Sequence, residues 1–243
     1  MTSARFPDLA DAHVLLTGGG SGIGAALVAG FLDQGARVSV LDLAEATPSG
    51  ALFLPCDVTD TPALEAAMDT ATAQNGPLRA LVTLAANDQR IAAVEVTPDI
   101  WSAQIDLNLS HYFFACRKAA SLMEDGGSII NFSSITYLMG ADGMAPYVAA
   151  NAGIMGLTRS LAREWGPRGI RVNAIAPGWV LTEKQLAKWA TPEALSAFLD
   201  KQCLKRHMQP QDVVGTALFL ASDASAMMTS QTLVLDAGVS VTG

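Results

Sequence analysis

Five of the seven residues that follow an apolar run, His13-Val14-Leu15-Leu16-Thr17, and precede a helical pattern, Ala25 to Gln34, are glycines: the stretch reads Gly18-Gly19-Gly20-Ser21-Gly22-Ile23-Gly24. A backbone so poor in side chains between two regular elements marks a tight turn or a close approach to another group. Gly18 permits the turn, and Gly22 and Gly24 let backbone and helix come near a bound group. A helix N-terminus carries unpaired N–H groups and the positive end of the helix dipole, so a strand–turn–helix of this kind is read as a pyrophosphate cradle. Ser21 and Ile23 lie in the same turn and are assigned to it.

The rest of the chain repeats the alternation. Arg37–Asp42, Ala51–Pro55, Leu81–Leu84, Ser128–Phe132, Ile170–Ile175 and Thr232–Leu235 read as further strands. Helical spacing runs from about Pro62 to Gln74, from Trp101 to Met123 with Gly126-Gly127 as its stop, and from Tyr147 to Trp165. Short strands alternating with helices predict an α/β fold, a doubly wound, Rossmann-like parallel sheet of about seven strands with helices on both faces. With no linker or repeat, residues 1–243 are read as a single dinucleotide-binding domain, with a substrate-covering segment at about 179–208.

Composition narrows the partners. The formal net charge is −8, and no Lys/Arg run exceeds two residues, which argues against nucleic acid. No stretch approaches the ~20 apolar residues of a membrane span, and the N-terminus lacks the apolar run of a signal peptide. Cys56, Cys116 and Cys203 form no CxxC pair and predict reduced, buried thiols in a cytoplasmic protein. His13, His111 and His207 show no HxH or HxxxH spacing, so no metal site is expected. Half the residues are hydrophobic and only 16% charged, which suggests that part of the apolar surplus lies between subunits.

Thr17-Gly18-Gly19-Gly20-Ser21-Gly22-Ile23-Gly24, with Ser134 thirteen residues before Tyr147, resembles the short-chain dehydrogenase/reductase family. The resemblance implies a nicotinamide cofactor. Asp42, closing the second strand, is placed to accept both adenosine ribose hydroxyls and to repel a 2′-phosphate, and no Arg or Lys stands at Gly19, Gly20 or Leu43; NAD is expected. By resemblance, Asp57 beside Val58 meets the adenine amino group, and Ala85 passes close to the cofactor ribose. In Pro177-Gly178-Trp179-Val180-Leu181-Thr182, the Val180 backbone and Thr182 hydroxyl meet the nicotinamide carboxamide. Where the family has Asn-Asn-Ala-Gly, this chain has Thr83-Leu84-Ala85-Ala86; Thr83 is expected to replace part of the lost strand-tying asparagine.

The same resemblance gives Asn108, Ser134 and Tyr147 catalytic roles: Asn108 steadies a relay water, Ser134 bonds the substrate oxygen and Tyr147 exchanges the proton. The family's lysine, four residues after the tyrosine, is here Asn151, which offers hydrogen bonds to the nicotinamide ribose but no charge. A phenol's unperturbed pKa is ~10, and an opposite charge within ~4–6 Å lowers an acid's pKa by ~1–3 units. Two readings stay open: an enzyme with a less acidic tyrosine, or a silent NAD-binding sensor or scaffold.

Asn87, Asp88, Arg90, Trp179, Glu183 and Gln185 promise a polar substrate wall with an aromatic plate, and Asn87, Arg90, Trp179 and Gln185 are taken as substrate contacts. Such a wall suits a small polyhydroxylated substrate. Asn-Asp-x-Arg, Pro-Gly-Trp-Val-x-Thr-x-Lys-Gln and Lys-Trp-x-Thr-Pro-Glu resemble the bacterial NAD-dependent aldose 1-dehydrogenases of the family. The activity so implied is oxidation of a sugar, sugar acid or polyol; a 3-oxoacyl or small-ketone reductase is the alternative. Relatives pack their long helices between subunits, so a homotetramer is expected.

Overall fold

The structure is a computed structural model that describes residues 4–43, 48–124 and 126–240. Seven strands form one sheet: β1 (His13–Thr17), β2 (Arg37–Asp42), β3 (Leu52–Pro55), β4 (Leu78–Thr83), β5 (Gly127–Phe132), β6 (Ile170–Pro177) and β7 (Thr232–Leu235). Their order is β3-β2-β1-β4-β5-β6-β7, and every neighbouring pair is parallel. The helices are α1 (Gly22–Asp33), α2 (Thr61–Asn75), α3 (Pro98–Ile105), α4 (His111–Leu122), α5 (Thr136–Met139), α6 (Ala145–Trp165), α7 (Glu183–Lys188), α8 (Pro192–Lys201) and α9 (Gln211–Ala221). This is the expected Rossmann-like architecture.

The side-chain alternation of a strand divides the core in two. From β1, Val14 and Leu16 join Leu27, Val28 and Phe31 of α1 and Val213 and Leu218 of α9. Leu15 between them points to the opposite face, among Leu64 and Met68 of α2, Ala115 and Ala119 of α4, and Leu161 and Trp165 of α6. Because both faces are covered, the central strands read as continuous apolar runs rather than alternating ones.

Element boundaries follow local chemistry. The Asp60 carboxylate accepts from Ala63 N at 3.0 Å and starts α2, with Pro62 in its first turn. Thr97 caps α3 in the same way, accepting from Ile100 N at 3.2 Å. The helix expected from Trp101 to Met123 is instead α3 and α4 joined by a π turn, Asp106–Ser110. One extra residue in a turn shifts the helical phase without breaking the helix, so the apolar spacing carries on across it. Gly127 does not stop that helix; it opens β5, where a Cβ would lie 2.5 Å from Met123 Sδ. Strand β4 begins three residues earlier than expected and ends before Leu84, and β6 runs on to Pro177.

Two buried hydrogen bonds join β4, β5 and α6. Thr83 Oγ1 donates to Asn131 Oδ1 at 2.8 Å, and Asn131 Nδ2 donates to Thr158 Oγ1 at 3.0 Å. Thr83 thus ties β4 to its neighbour, as expected. Cys56 and Cys116 are buried; Cys203, expected to be buried as well, is exposed. No described helix is long and apolar enough to cross a membrane, and no three His, Cys, Asp or Glu side chains among the described residues are grouped to hold a metal. Burial lowers the His111 pKa to about 4, so that fully enclosed ring is neutral.

Thr83→Val keeps the shape of the side chain and removes the donor to Asn131. It should lower stability by about 1–2 kcal/mol, a fall in Tm of roughly 2–8 °C. An unchanged thermal transition would mean that this bond does not hold the two strands.

Candidate active site

The strand order creates the site. Chain connections leave β1 and β4 in opposite directions, and a crevice opens at their carboxyl ends. Gly18, at φ +79°, lies so close to the β4 loop that a Cβ would stand 2.7 Å from Ala85 Cα and N. At Gly24 a Cβ would meet the Gly18 carbonyl oxygen at 2.0 Å, and at Gly22 it would meet Thr182 Cγ2 at 2.8 Å. These contacts fold the glycine turn beneath a cleft of about 870 Å³. Following the strand order, the cleft passes from Asp42, Asp57 and Val58, past Ser21, Gly22, Ile23 and Ala85, to Ser134, Tyr147, Asn151, Pro177, Val180 and Thr182.

The first half of this cleft fits a dinucleotide. Ser21 is the N-cap residue of α1, yet its hydroxyl makes no capping hydrogen bond, so hydroxyl and first-turn N–H groups are available to an anion. Asp42 is held at both oxygens: Oδ2 accepts from Gly20 N at 2.8 Å and Oδ1 from Leu43 N at 2.7 Å. Each carboxylate oxygen can accept more than one hydrogen bond, which suits a position facing ribose hydroxyls. Asp57 accepts the Thr59 hydroxyl (2.7 Å) and the Thr59 N–H (2.9 Å), and these bonds hold its carboxyl below the usual carboxylate range.

Helix α6 delivers the reactive end. Tyr147 lies in its first turn and Asn151 one turn later, on the same face. Asn151 Nδ2 donates to the Tyr147 carbonyl at 2.9 Å, and the Asn151 carbonyl accepts from Ser133 Oγ at 3.1 Å. One amide hydrogen of Asn151 is thus engaged within the helix. Ser134 Oγ accepts from Thr136 N at 3.2 Å, which fixes its oxygen beside the cleft. Burial pushes the Tyr147 phenol up to about 12, the Asp88 carboxylate adds to this, and hydrogen bonds with Asn151 and Ser134 draw it partly back.

Asn108 occupies the π turn and is buried. Its Nδ2 donates to Gln104 O (2.9 Å) and Gln104 Oε1 (3.1 Å), and its Oδ1 accepts from Asn87 N at 2.9 Å. What the structure shows of this side chain is a hold on the loop after β4. That loop then turns Asp88, not Asn87, into the cleft. Asn87 was expected to touch substrate but does not line the cavity; its Oδ1 faces the Lys184 ammonium at 3.3 Å.

The opposite wall is a connected polar network. Asp88 Oδ1 accepts from Lys184 Nζ and Oδ2 from Gln185 Nε2, both at 2.6 Å. Burial alone would raise the Asp88 carboxyl, but the hydrogen bonds from Lys184 and Gln185, with the lysine charge, outweigh it and hold it below the usual range. Gln185 Oε1 accepts the Trp179 indole N–H at 2.8 Å, and Trp179 packs edge-on against Phe198 with ring centroids 5.4 Å apart. The Arg90 guanidinium stacks over Trp189 at 4.2 Å. Of the four expected substrate contacts, Arg90, Trp179 and Gln185 are brought to the cleft. Lys184 and Trp189 fall in the motifs quoted above but were not named as substrate contacts, and Phe198 was not foreseen; the fold brings all three to the cleft with Asp88.

A family profile described as enoyl-(acyl carrier protein) reductase matches residues 18–240. The chain belongs to the short-chain dehydrogenase/reductase family. It is an oxidoreductase of that family, whose members depend on nicotinamide nucleotides. A probable galactose dehydrogenase of Rhizobium meliloti is 47% identical over 98% of this chain and 99% of its own length. A D-xylose 1-dehydrogenase of Caulobacter vibrioides is 40% identical, again over 98% and 99%. The ligand-free aldohexose dehydrogenase of Thermoplasma acidophilum superposes with a TM-score of 0.91 at 28% identity, covering 98% of this chain and 97% of that one.

The folded-state pKa of Tyr147 lies above the ~10 of an unfolded tyrosine, so its proton favours the folded state. That contribution is complete below pH ~10 and is lost as pH rises through about 12. The tyrosinate absorbance difference between the protein and its Tyr147→Phe variant should accordingly have its midpoint near 12. A midpoint at the unperturbed value would remove both burial and Asp88 as causes.

Proposed function

We propose that this chain is an NAD-dependent dehydrogenase that oxidises one hydroxyl of a sugar, sugar acid or polyol, in the manner of an aldose 1-dehydrogenase. The observation that carries the reading is the Asp88–Lys184–Gln185–Trp179 network lining the same cleft as Tyr147 and Ser134. A charged and polar wall beside an indole favours a hydroxylated ligand over an acyl chain, because an apolar chain would strip water from these groups without bonding to them. The names of the galactose, xylose and aldohexose relatives support the same class.

Bound NAD supplies the hydride acceptor. Ser134 holds the substrate oxygen, and Tyr147, as phenolate, takes the hydroxyl proton as the C–H bond breaks. Asn108 fixes the loop that carries Asp88 and steadies the proton relay, and Asn151 meets the nicotinamide ribose with its side-chain amide. Pro177, Val180 and Thr182 orient the nicotinamide, Ala85 borders its ribose, and Asp57 and Val58 receive the adenine. Asp42 selects NAD, since a 2′-phosphate would meet a fixed carboxylate. The segment at 179–208 covers the substrate. An apolar groove between α4 and α6, lined by Leu109, Phe113, Phe114 and Leu157, supports assembly into a homotetramer, and the acidic chain with its unpaired thiols suits the cytoplasm.

Asn151 favours one further reading, a protein that binds NAD without turnover, because it supplies no charge to Tyr147. NADH formation over a panel of aldoses, sugar acids and polyols, from neutral to alkaline pH, separates the two: one sugar giving NADH supports the dehydrogenase, and NAD binding without reduction on the whole panel supports the silent binder. In the active enzyme, oxidation should accelerate towards alkaline pH, and Asn151→Lys should move its half-maximal pH down by ~1–3 units. An unmoved profile would show that the charge at this position is immaterial. Asp42→Ala should weaken NAD binding and narrow its advantage over NADP, as read by titration with both nucleotides.

A further inference from the structure

The residues lining the cleft include just two cations among those described, Arg90 and Lys184. Arg90 is stacked on Trp189. Lys184 is joined at 2.6 Å to Asp88, the carboxylate from the β4 loop whose charge bears on the Tyr147 phenol. We propose that Lys184, carried on the cover helix α7, acts through Asp88 as a positioning residue that sets how readily Tyr147 gives up and takes a proton. The proposal rests on Tyr147 being the base assigned above, and it locates the site's compensating charge on α7 rather than on α6.

The geometry gives the route. Both Asp88 oxygens are taken by α7, one by an ammonium and the other by the Gln185 amide. With Lys184 in place the carboxylate is half of a neutral pair; without it, Asp88 is a partly buried anion facing a phenol that must become an anion itself. Like charges in one site disfavour double ionisation. The other groups around Tyr147 are Ser134 from the loop after β5, Asn151 from α6 and Tyr112 from α4. Glu183, from α7, also lines the cleft and is a second anion there. None of these supplies positive charge.

The test is the tyrosinate titration of Tyr147, taken as the absorbance difference from a matched Tyr147→Phe protein and read with NAD bound and without it. Lys184→Met should raise the midpoint by about half a unit to one unit, less than the ~1–3 units of a direct neighbour because the effect passes through Asp88. Lys184→Arg should restore it. Asp88→Asn should lower the midpoint, and Lys184→Met added to Asp88→Asn should change nothing further. A midpoint unmoved by Lys184→Met in a folded protein overturns the proposal. So does a shift that persists in the Asp88→Asn background, since Lys184 would then act without Asp88. The readout needs no turnover, so failure of every sugar to reduce NAD would count against the dehydrogenase reading alone. In an active enzyme the pH profile of kcat/KM should move in parallel; a change in KM with an unmoved profile would reduce Lys184 to a substrate contact.

Discussion

The approach of Gly18 to Ala85 fixes the geometry on which the remainder depends. These residues stand at the ends of β1 and β4, where the connections part to opposite faces of the sheet, and there is no space between them for a methyl group. The closeness draws the glycine turn under the β4 loop. It seats the start of α1 at the centre of the crevice, with Asp42 on one side and the β5 and β6 loops on the other. Asp42, Asp57, Ala85, Ser134 and Val180 lie on or just after strands flanking this point, so that part of the cleft is carried by a sheet buried on both faces.

Within that frame, the chemistry is a problem of charge. Tyr147 sits where burial and a neighbouring carboxylate both oppose ionisation, and the nearest side chain on its own helix, Asn151, is neutral. The amide helps through hydrogen bonding, which stabilises a phenolate far less than a full opposite charge in a site shielded from water. Among the described residues, the sole direct cationic partner of Asp88 comes from α7, a short helix outside the sheet altogether. The acid–base balance of the site is therefore shared between a rigid scaffold and its cover.

Much of the fold was legible in the sequence because burial writes itself into periodicity. The bounds of β1, β2 and β7 coincide with their apolar runs, and the glycine-rich stretch Gly18–Gly24 does join a strand to a helix. The π turn was not legible, since an inserted residue leaves the apolar spacing on either side intact while rotating Asn108 into the loop after β4. For the wall, the sequence marked the polar segments but not which side chain faces inward: Asn87 and Asp88 differ by one position, and the Asn108 hold on the Asn87 backbone decides between them. Lys184 stands in the Pro177–Gln185 motif, but its pairing with Asp88 was not legible, because the two lie ninety-six residues apart.

The cover leaves and rejoins the body of the protein at almost the same place. Val180 and Met208 form a parallel bridge, and Leu181 N donates to the Met208 carbonyl at 2.9 Å. A segment whose ends are pinned together loses little by changing length, since each doubling adds only about 0.6 kcal/mol of closure entropy. Residues 181–207 thus tolerate changes of length at little entropic cost as long as the clasp at Val180 and Met208 persists and the Cys203 and Leu204 N–H groups keep their bonds to the Ala237 carbonyl (2.8 and 3.1 Å). A lineage built on this scaffold is free to rewrite what it recognises without renegotiating how it folds.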